Sequence, residues 1–263
     1  MCGDVELRGG TIEDAAFVQR CALGGDGIFV LSAVASGTRF VVEPGFCHSL
    51  NVTGAANVLE AASLEGAARV VLSSSAAVYC NSVNFPLTED EPCKPISPYG
   101  QHKVTCEQYG ALYTRLGWTE SVALRYFNVF GPRQSPAGGA AIPNFVTSIL
   151  KGGQPRITGD GTQSRDFLYV DDVARANILA MTSEGAAGMA FNTCSGKGTS
   201  LLTLMEALAR ASGRPVDPEF LPARPGDILH SYGAGDRARE TMGFTPVTPL
   251  DEALEQTMAW YAG

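Results

Sequence analysis

Residues 68–79, ARVVLSSSAAVY, form a short β-branched run that ends in three hydroxyls, the pattern of a buried strand that opens onto polar chemistry. Before it, LNVTGAANVLEAASLEG (50–66) predicts a helix with Val52, Ala55, Val58, Leu59 and Ala62 on one side. Earlier still, GIFVLSAVA (27–35) predicts a strand running into a loop. After it, Gln101 to Leu116 continues as a helix, and ESVALRYFNVFG (120–131) reads as one strand that breaks at GPRQSPAGG. Short strands alternating with longer helices indicate an α/β fold in which helices cover a parallel sheet. Ligands in such sheets bind beyond the carboxyl ends of the strands, where the serine cluster falls.

The texture changes after Pro143. A helix at 144–151, the Gly-rich turn within ITGDGTQSRDFLYVDDVARA (157–176), a helix at 199–212, the Pro-rich FLPARPGDILHS (220–231) and a last helix near 249–261 predict a smaller lobe. The expected division is therefore 1–143 and 144–263, with 165–182 returning to the main sheet. No internal repeat or low-complexity tract is present.

At 263 residues, 45% hydrophobic and 17% charged, the chain is long enough for a substantial core. A net charge of -8 argues against a nucleic-acid or anionic-membrane partner, so an anionic ligand must be met by a few local arginines. No apolar run is long enough to span a bilayer, and MCGDVELRGG lacks a basic-then-apolar leader, which makes the cytoplasm the expected compartment. The seven cysteines include no Cys-x-x-Cys and cannot all pair within the chain; reduced, packing cysteines are expected. His48, His102 and His230 are scattered, with no metal-ligand spacing, and no metal is expected.

SPYGQHK (97–103) places Tyr99 four residues before Lys103, on one face of a helix. A phenol titrates near ~10 and is a poor base at neutral pH; a lysine one turn away can stabilise its phenolate. A serine hydroxyl from a neighbouring strand can share the same substrate oxygen and relay its proton. Such a pair also arises on ordinary helix surfaces, so spacing alone leaves both readings open.

SSSAAVY, SPYGQHK, LRYFNVFGPRQ, RDFLYVDD and RPGDILHS occur in an order and at intervals that resemble the extended short-chain dehydrogenase/reductase family, specifically its nucleotide-sugar 4-epimerases. The resemblance covers nearly the whole chain. It implies a Rossmann-like doubly wound parallel sheet with a smaller C-terminal substrate-binding lobe, NAD as cofactor, a UDP-sugar substrate and a homodimer built through a four-helix bundle. It implies Tyr99 as base, Lys103 as the assisting lysine that also holds the nicotinamide ribose, and Ser75 as the catalytic hydroxyl. Around the cofactor it places Leu31, Ser32, Ala33, Asn51, Ser73, Ser74 and Tyr126. Around the substrate it places Ser75, Asn128, Gly159, Arg165, Arg224, Asp227 and Ser231, with the two arginines clamping the diphosphate and Asp227 accepting a ribose hydroxyl. An acidic protein needs planar, bidentate donors of that kind.

The dehydratases that share this pattern carry an acidic pair after the catalytic hydroxyl, where this chain has Ala76 and Ala77. The resemblance therefore implies epimerisation: oxidation at C4 with NAD, rotation of the 4-keto sugar and reduction on its opposite face. The chain departs from the pattern at Cys80, His102, Val30 to Ala33 and Ala234. It also has no Gly-x-x-Gly-x-x-Gly before its first strand, and GGDG (24–27) precedes a strand rather than joining one to a helix. VELRGGTIED resembles the family's third strand and the segment after that strand, with Thr11 where an aspartate usually meets adenine. The expectation is an N-terminally incomplete chain that does not bind NAD usefully as given. A non-catalytic nucleotide-sugar-binding protein and a nucleotide-sugar reductase using the same triad are the alternatives.

Overall fold

The computed structural model describes residues 5–35, 37–79, 82, 84–223 and 228–263. Its helices are α1 (Ala15–Ala22), α2 (Gly37–Val42), α3 (Pro44–His48), α4 (Gly54–Glu65), α5 (Pro98–Arg115), α6 (Ala141–Leu150), α7 (Val170–Thr182), α8 (Leu201–Ser212), α9 (Asp236–Met242) and α10 (Leu250–Ala262). Its strands are β1 (Gly27–Val30), β2 (Arg69–Ser75), β3 (Glu120–Tyr126), β4 (Asn128–Phe130), β5 (Arg156–Thr158), β6 (Ser164–Arg165), β7 (Phe167–Tyr169), β8 (Ala190–Thr193), β9 (Thr199–Ser200), β10 (Glu219–Leu221) and β11 (His230–Ser231).

The main sheet has the order β1-β2-β3-β8 and is parallel throughout. Alternation along β2 explains its two covered faces. Val70 and Leu72 join Val58, Leu59 and Ala62 of α4, whereas Val71 joins Val122 and Leu124 of β3 and Val173 and Ala176 of α7. Helices on both faces of a parallel sheet match the alternating pattern, and the doubly wound form is the one the resemblance implies. Helix α5 lies close on β2 and β3, and two glycines permit the approach. A Cβ on Gly100 would stand 2.2 Å from the Ala77 carbonyl oxygen, and one on Gly110 would stand 2.3 Å from Ser121 Oγ.

A second core belongs to the C-terminal lobe, where Phe145, Val146 and Ile149 of α6 meet Leu204 and Leu208 of α8 and Leu254 and Met258 of α10. The expected boundary at 143 falls inside α6, which runs unbroken across it. Residues 165–182 divide their allegiance: β6 pairs with β9 and β11, β7 pairs with β4, and α7 packs on the main sheet. The strand that rejoins that sheet is β8.

Three sequence readings are corrected. The single strand expected at 120–131 is two, because Phe127 turns into a separate cluster with Val78, Tyr79, Leu87 and Cys194. β3 stays in the main sheet while β4 leaves it for β7. The helix expected at 50–66 is preceded by α3 and a π-turn at Ser49–Thr53, so its start is continuous helix. The segment at 5–9, read as a strand, is exposed irregular chain; no neighbouring strand is present among the described residues to complete its ladder. After it comes α1, capped by Asp14, whose carboxylate accepts from Phe17 N at 3.0 Å.

Candidate active site

The carboxyl end of β2 and the first turns of α5 build the site. Ser97 caps α5 by accepting from Gly100 N at 3.1 Å, and Pro98 comes next at the first helical position, which fixes where Tyr99 enters the helix. Ser75 ends β2 and accepts from Ala77 N at 3.2 Å, which turns the chain into a 3-10 segment at Ala76–Val78. Tyr99 stands beside Ser75; burial pushes its phenol above its ordinary value, and the nearby Ser75 hydroxyl draws it back only in part.

Lys103 is 5% exposed, and burial lowers its pKa, opposed by the charges of Cys106 and Glu107. Its ammonium donates to the Ser73 carbonyl and lies 3.3 Å from Ser73 Oγ, with the Tyr99 ring centroid at 5.6 Å. The chain therefore brings Ser73, Ser75, Tyr99 and Lys103 together. Ser74 points to the other side of the strand, where its hydroxyl donates to Glu107. Tyr126 pairs in register with Ser75, but its phenol donates to Asn177 at 2.9 Å, and burial pushes it up to about 12.

Beside β2, the loop after β1 carries exposed Leu31 and Ser32 and half-buried Ala33. Asn51 is buried and holds this loop, accepting from Val34 N at 2.7 Å and donating to Val34 O at 2.9 Å. Phe40 of α2 faces Tyr99 at 6.0 Å and His102 at 5.4 Å between centroids.

Of the substrate-side residues, Asn128 and Arg165 line a separate cavity of about 380 Å³, with Phe130, Gln134, Gln163 and Leu201 among its other lining residues. Asn128 is pinned there by bonds from its backbone N and its Nδ2 to the Asp166 carbonyl, at 2.9 and 3.1 Å. Arg165 donates to the Ser164 carbonyl at 2.9 Å, and Ser231 pairs with it across β6 and β11. Gly159 lies in a turn with φ of 81° and is not among the residues lining this cavity. Arg224 and Asp227 lie outside the described residues. Gln134 and Gln163 carry no motif of their own in the sequence; Gln134 stands within the same GPRQ turn that ends the broken strand, and its Oε1 is buried without a hydrogen-bond partner.

The residues present fit one end of a dinucleotide. Lys103 is a buried cation beside exposed loop backbone at the strand ends, a donor suited to ribose hydroxyls, with Tyr99 one turn away. Among the described residues no glycine-rich turn joins a strand to a helix to receive the diphosphate. No cluster of His, Cys, Asp or Glu among them is arranged to hold a metal, and no helix is long and apolar enough to cross a membrane.

The sequence model of the NAD dependent epimerase/dehydratase family matches residues 3–194. The UDP-glucose 4-epimerase of Mycolicibacterium smegmatis is 39% identical over 236 residues, which cover 89% of this chain and 75% of that one. The structure of UDP-glucose 4-epimerase with UDP-glucose from Thermotoga maritima is 35% identical, matches with a TM-score of 0.90, and is covered to 82% by 96% of this chain. The UDP-N-acetylglucosamine 4-epimerase of Methanobrevibacter ruminantium M1, in complex with UDP-N-acetylmuramic acid, is 36% identical with a TM-score of 0.91, over 96% of this chain and 81% of that one.

Proposed function

Because the chain belongs to the NAD dependent epimerase/dehydratase family, we propose that it is a nucleotide-sugar 4-epimerase acting on UDP-hexoses through a 4-keto intermediate. The observation that carries this reading is Tyr99 beside Ser75 with Lys103 one turn away, at the carboxyl end of the sheet. A protein that only bound nucleotide sugars would have no use for a buried phenol coupled to a buried cation.

The chemistry NAD supplies when bound is reversible oxidation at the sugar's C4. Tyr99 takes the proton of the C4 hydroxyl, directly or through Ser75, and returns it to O4 when the carbinol is restored. Unliganded, its raised pKa keeps the phenol protonated at neutral pH, so ligand binding has to bring the Lys103 charge to bear on it. Ala76 and Ala77 have no proton to give or take, which leaves nothing beside Ser75 to assist loss of water and supports epimerisation over dehydration. The cavity at Asn128 and Arg165 receives the UDP moiety, with Arg165, and by resemblance Arg224 and Asp227, on diphosphate and ribose.

The compartment we assign is the cytoplasm, on the free cysteines 21, 47, 93, 106 and 194. We also assign a homodimer packed through α4 and α5, which leave Leu64 64% and Tyr109 43% exposed; sedimentation showing only monomer would remove it.

A second reading, a nucleotide-sugar binder without turnover, is favoured by one observation, the lack of a glycine-rich turn among the described residues. Assaying UDP-glucose and UDP-galactose interconversion beside nucleotide-sugar binding separates the two. Binding without interconversion, even when the strand–helix–strand of a relative precedes the chain and NAD is supplied, overturns the epimerase reading.

A further inference from the structure

We propose that Glu107 is a positioning residue for Lys103: braced by Ser74 and Arg125 across two strands, it fixes the middle of α5 and sets a balanced charge one helical turn from the lysine. The inference rests on reading Tyr99 and Lys103 as the working pair.

The geometry is continuous. Ser74 and Arg125 are register partners on β2 and β3 and both reach α5. The Ser74 hydroxyl donates to Glu107 Oε1, and Arg125 grips both carboxylate oxygens, Nε to Oε1 at 3.0 Å and Nη2 to Oε2 at 2.7 Å. Arg125 also donates to the Tyr79 hydroxyl at 2.9 Å, and Tyr79 in turn donates at 2.7 Å to Asn192 Oδ1, the register partner of Arg125 on β8. Glu107 and Arg125 have side chains only 10% and 7% exposed. A buried bidentate pair of this kind is far more specific in geometry than a surface ion pair. Burial opposes the Arg125 charge, and hydrogen bonds and charge from Glu107, together with Tyr79, overcome that and raise its pKa.

One helical turn before Glu107, along the same face of α5, stands Lys103. The groups that face it are Tyr99, His102, Cys106 and Glu107 on α5 and Ser73 on β2. Burial lowers the Lys103 pKa; Cys106 and Glu107 oppose it. Burial pushes the Cys106 thiol up to about 11, so it is neutral at neutral pH.

A brace that acted only through packing and one that also sets the charge around Lys103 give different signs when its two halves are removed. The readout is the titration of Lys103 itself, tracked by carbon NMR of protein labelled at lysine Cε. The chain has four lysines, 94, 103, 151 and 197, and the Lys103 line is identified by its loss in Lys103→Arg. Glu107→Gln leaves Arg125 unbalanced and is expected to lower the Lys103 midpoint by about half a pH unit or more. Arg125→Met leaves Glu107 unbalanced and is expected to raise it by a similar amount, and the double variant returns it towards wild type. Shifts of one sign in both single variants, or no shift in either, overturn the proposal. Should Glu107→Gln or Arg125→Met lose its near-UV circular dichroism, Glu107→Asp decides: a smaller downward shift supports the proposal and an unmoved midpoint overturns it. Turnover is not read, so failure here leaves the epimerase reading standing, and failure of that reading leaves this result intact.

Discussion

Lys103 Nζ lies 5.6 Å from the centroid of the Tyr99 ring and donates to the Ser73 carbonyl, so the lysine is one turn from the phenol but anchored on the neighbouring strand. In this state burial dominates the Tyr99 pKa, and the neighbouring Ser75 hydroxyl is the group that favours the phenolate. Tyr99 is therefore expected to ionise above the ordinary phenol value of ~10, and Ser75→Ala is expected to move it higher still. Tyrosinate absorbance of wild type minus Tyr99→Phe isolates the step. A Tyr99 that ionises below the ordinary value without ligands would contradict this picture.

The histidine before the lysine gives an acid-side test. His102 has a buried Nδ1 with no hydrogen-bond partner, stacks edgewise on His48 at 5.1 Å, and has its pKa lowered from 6.5 by burial, then by His48 and Lys103. The unfolded chain thus binds the proton more readily than the folded one. His102's contribution to stability is fully present above 6.5 and is lost as pH falls through the lower folded value. Urea midpoints should drop across that window, and His102→Gln should flatten the drop. An equally steep drop in the variant would remove His102 as its source.

Close approach of α5 to the turn after Ser75 gives a packing test. The Cβ of Gly100→Ala would meet backbone, the Ala77 carbonyl at 2.2 Å, and cannot be absorbed by a side-chain rotation. A loss of about 1–3 kcal/mol is expected. Gly45→Ala, in a helix with open space around it, should instead gain about 0.5–1 kcal/mol. Urea unfolding of both variants checks this, and equal midpoints would contradict the tight seat of α5.

Ser231 pairs in register with Arg165, which lines the cavity. By resemblance a bulky residue at this position excludes 2-acetamido sugars, and a serine leaves space for the acetyl group. UDP-N-acetylglucosamine should therefore be accepted alongside UDP-glucose, and Ser231→Tyr should reject the acetylated sugar selectively. Rejection by wild type would sink the idea.

The ordered motifs of the resemblance are what mark Ser75, Tyr99 and Lys103, because the Tyr-x-x-x-Lys spacing by itself also fits an ordinary helix surface. The break at Phe127 is not legible in the sequence, since β4 leaves the main sheet for a partner, β7, that lies beyond α6. The Glu107 and Arg125 pair is hidden for the same reason: only the register of Ser74 with Arg125 brings both to one carboxylate. Helix α1 has a readable cap in Asp14 ahead of an apolar run, but the likeness of VELRGGTIED to a strand and its sequel masks it.

The most direct test of the central claim is UDP-glucose to UDP-galactose interconversion with NAD, by the chain preceded by a relative's first strand, helix and second strand, comparing wild type with Tyr99→Phe. Wild type is expected to interconvert the sugars, and Tyr99→Phe to lose at least about a hundredfold in kcat while UDP-glucose binding changes little, because it removes a proton acceptor and almost no contact area. Wild-type turnover by Tyr99→Phe would contradict the account.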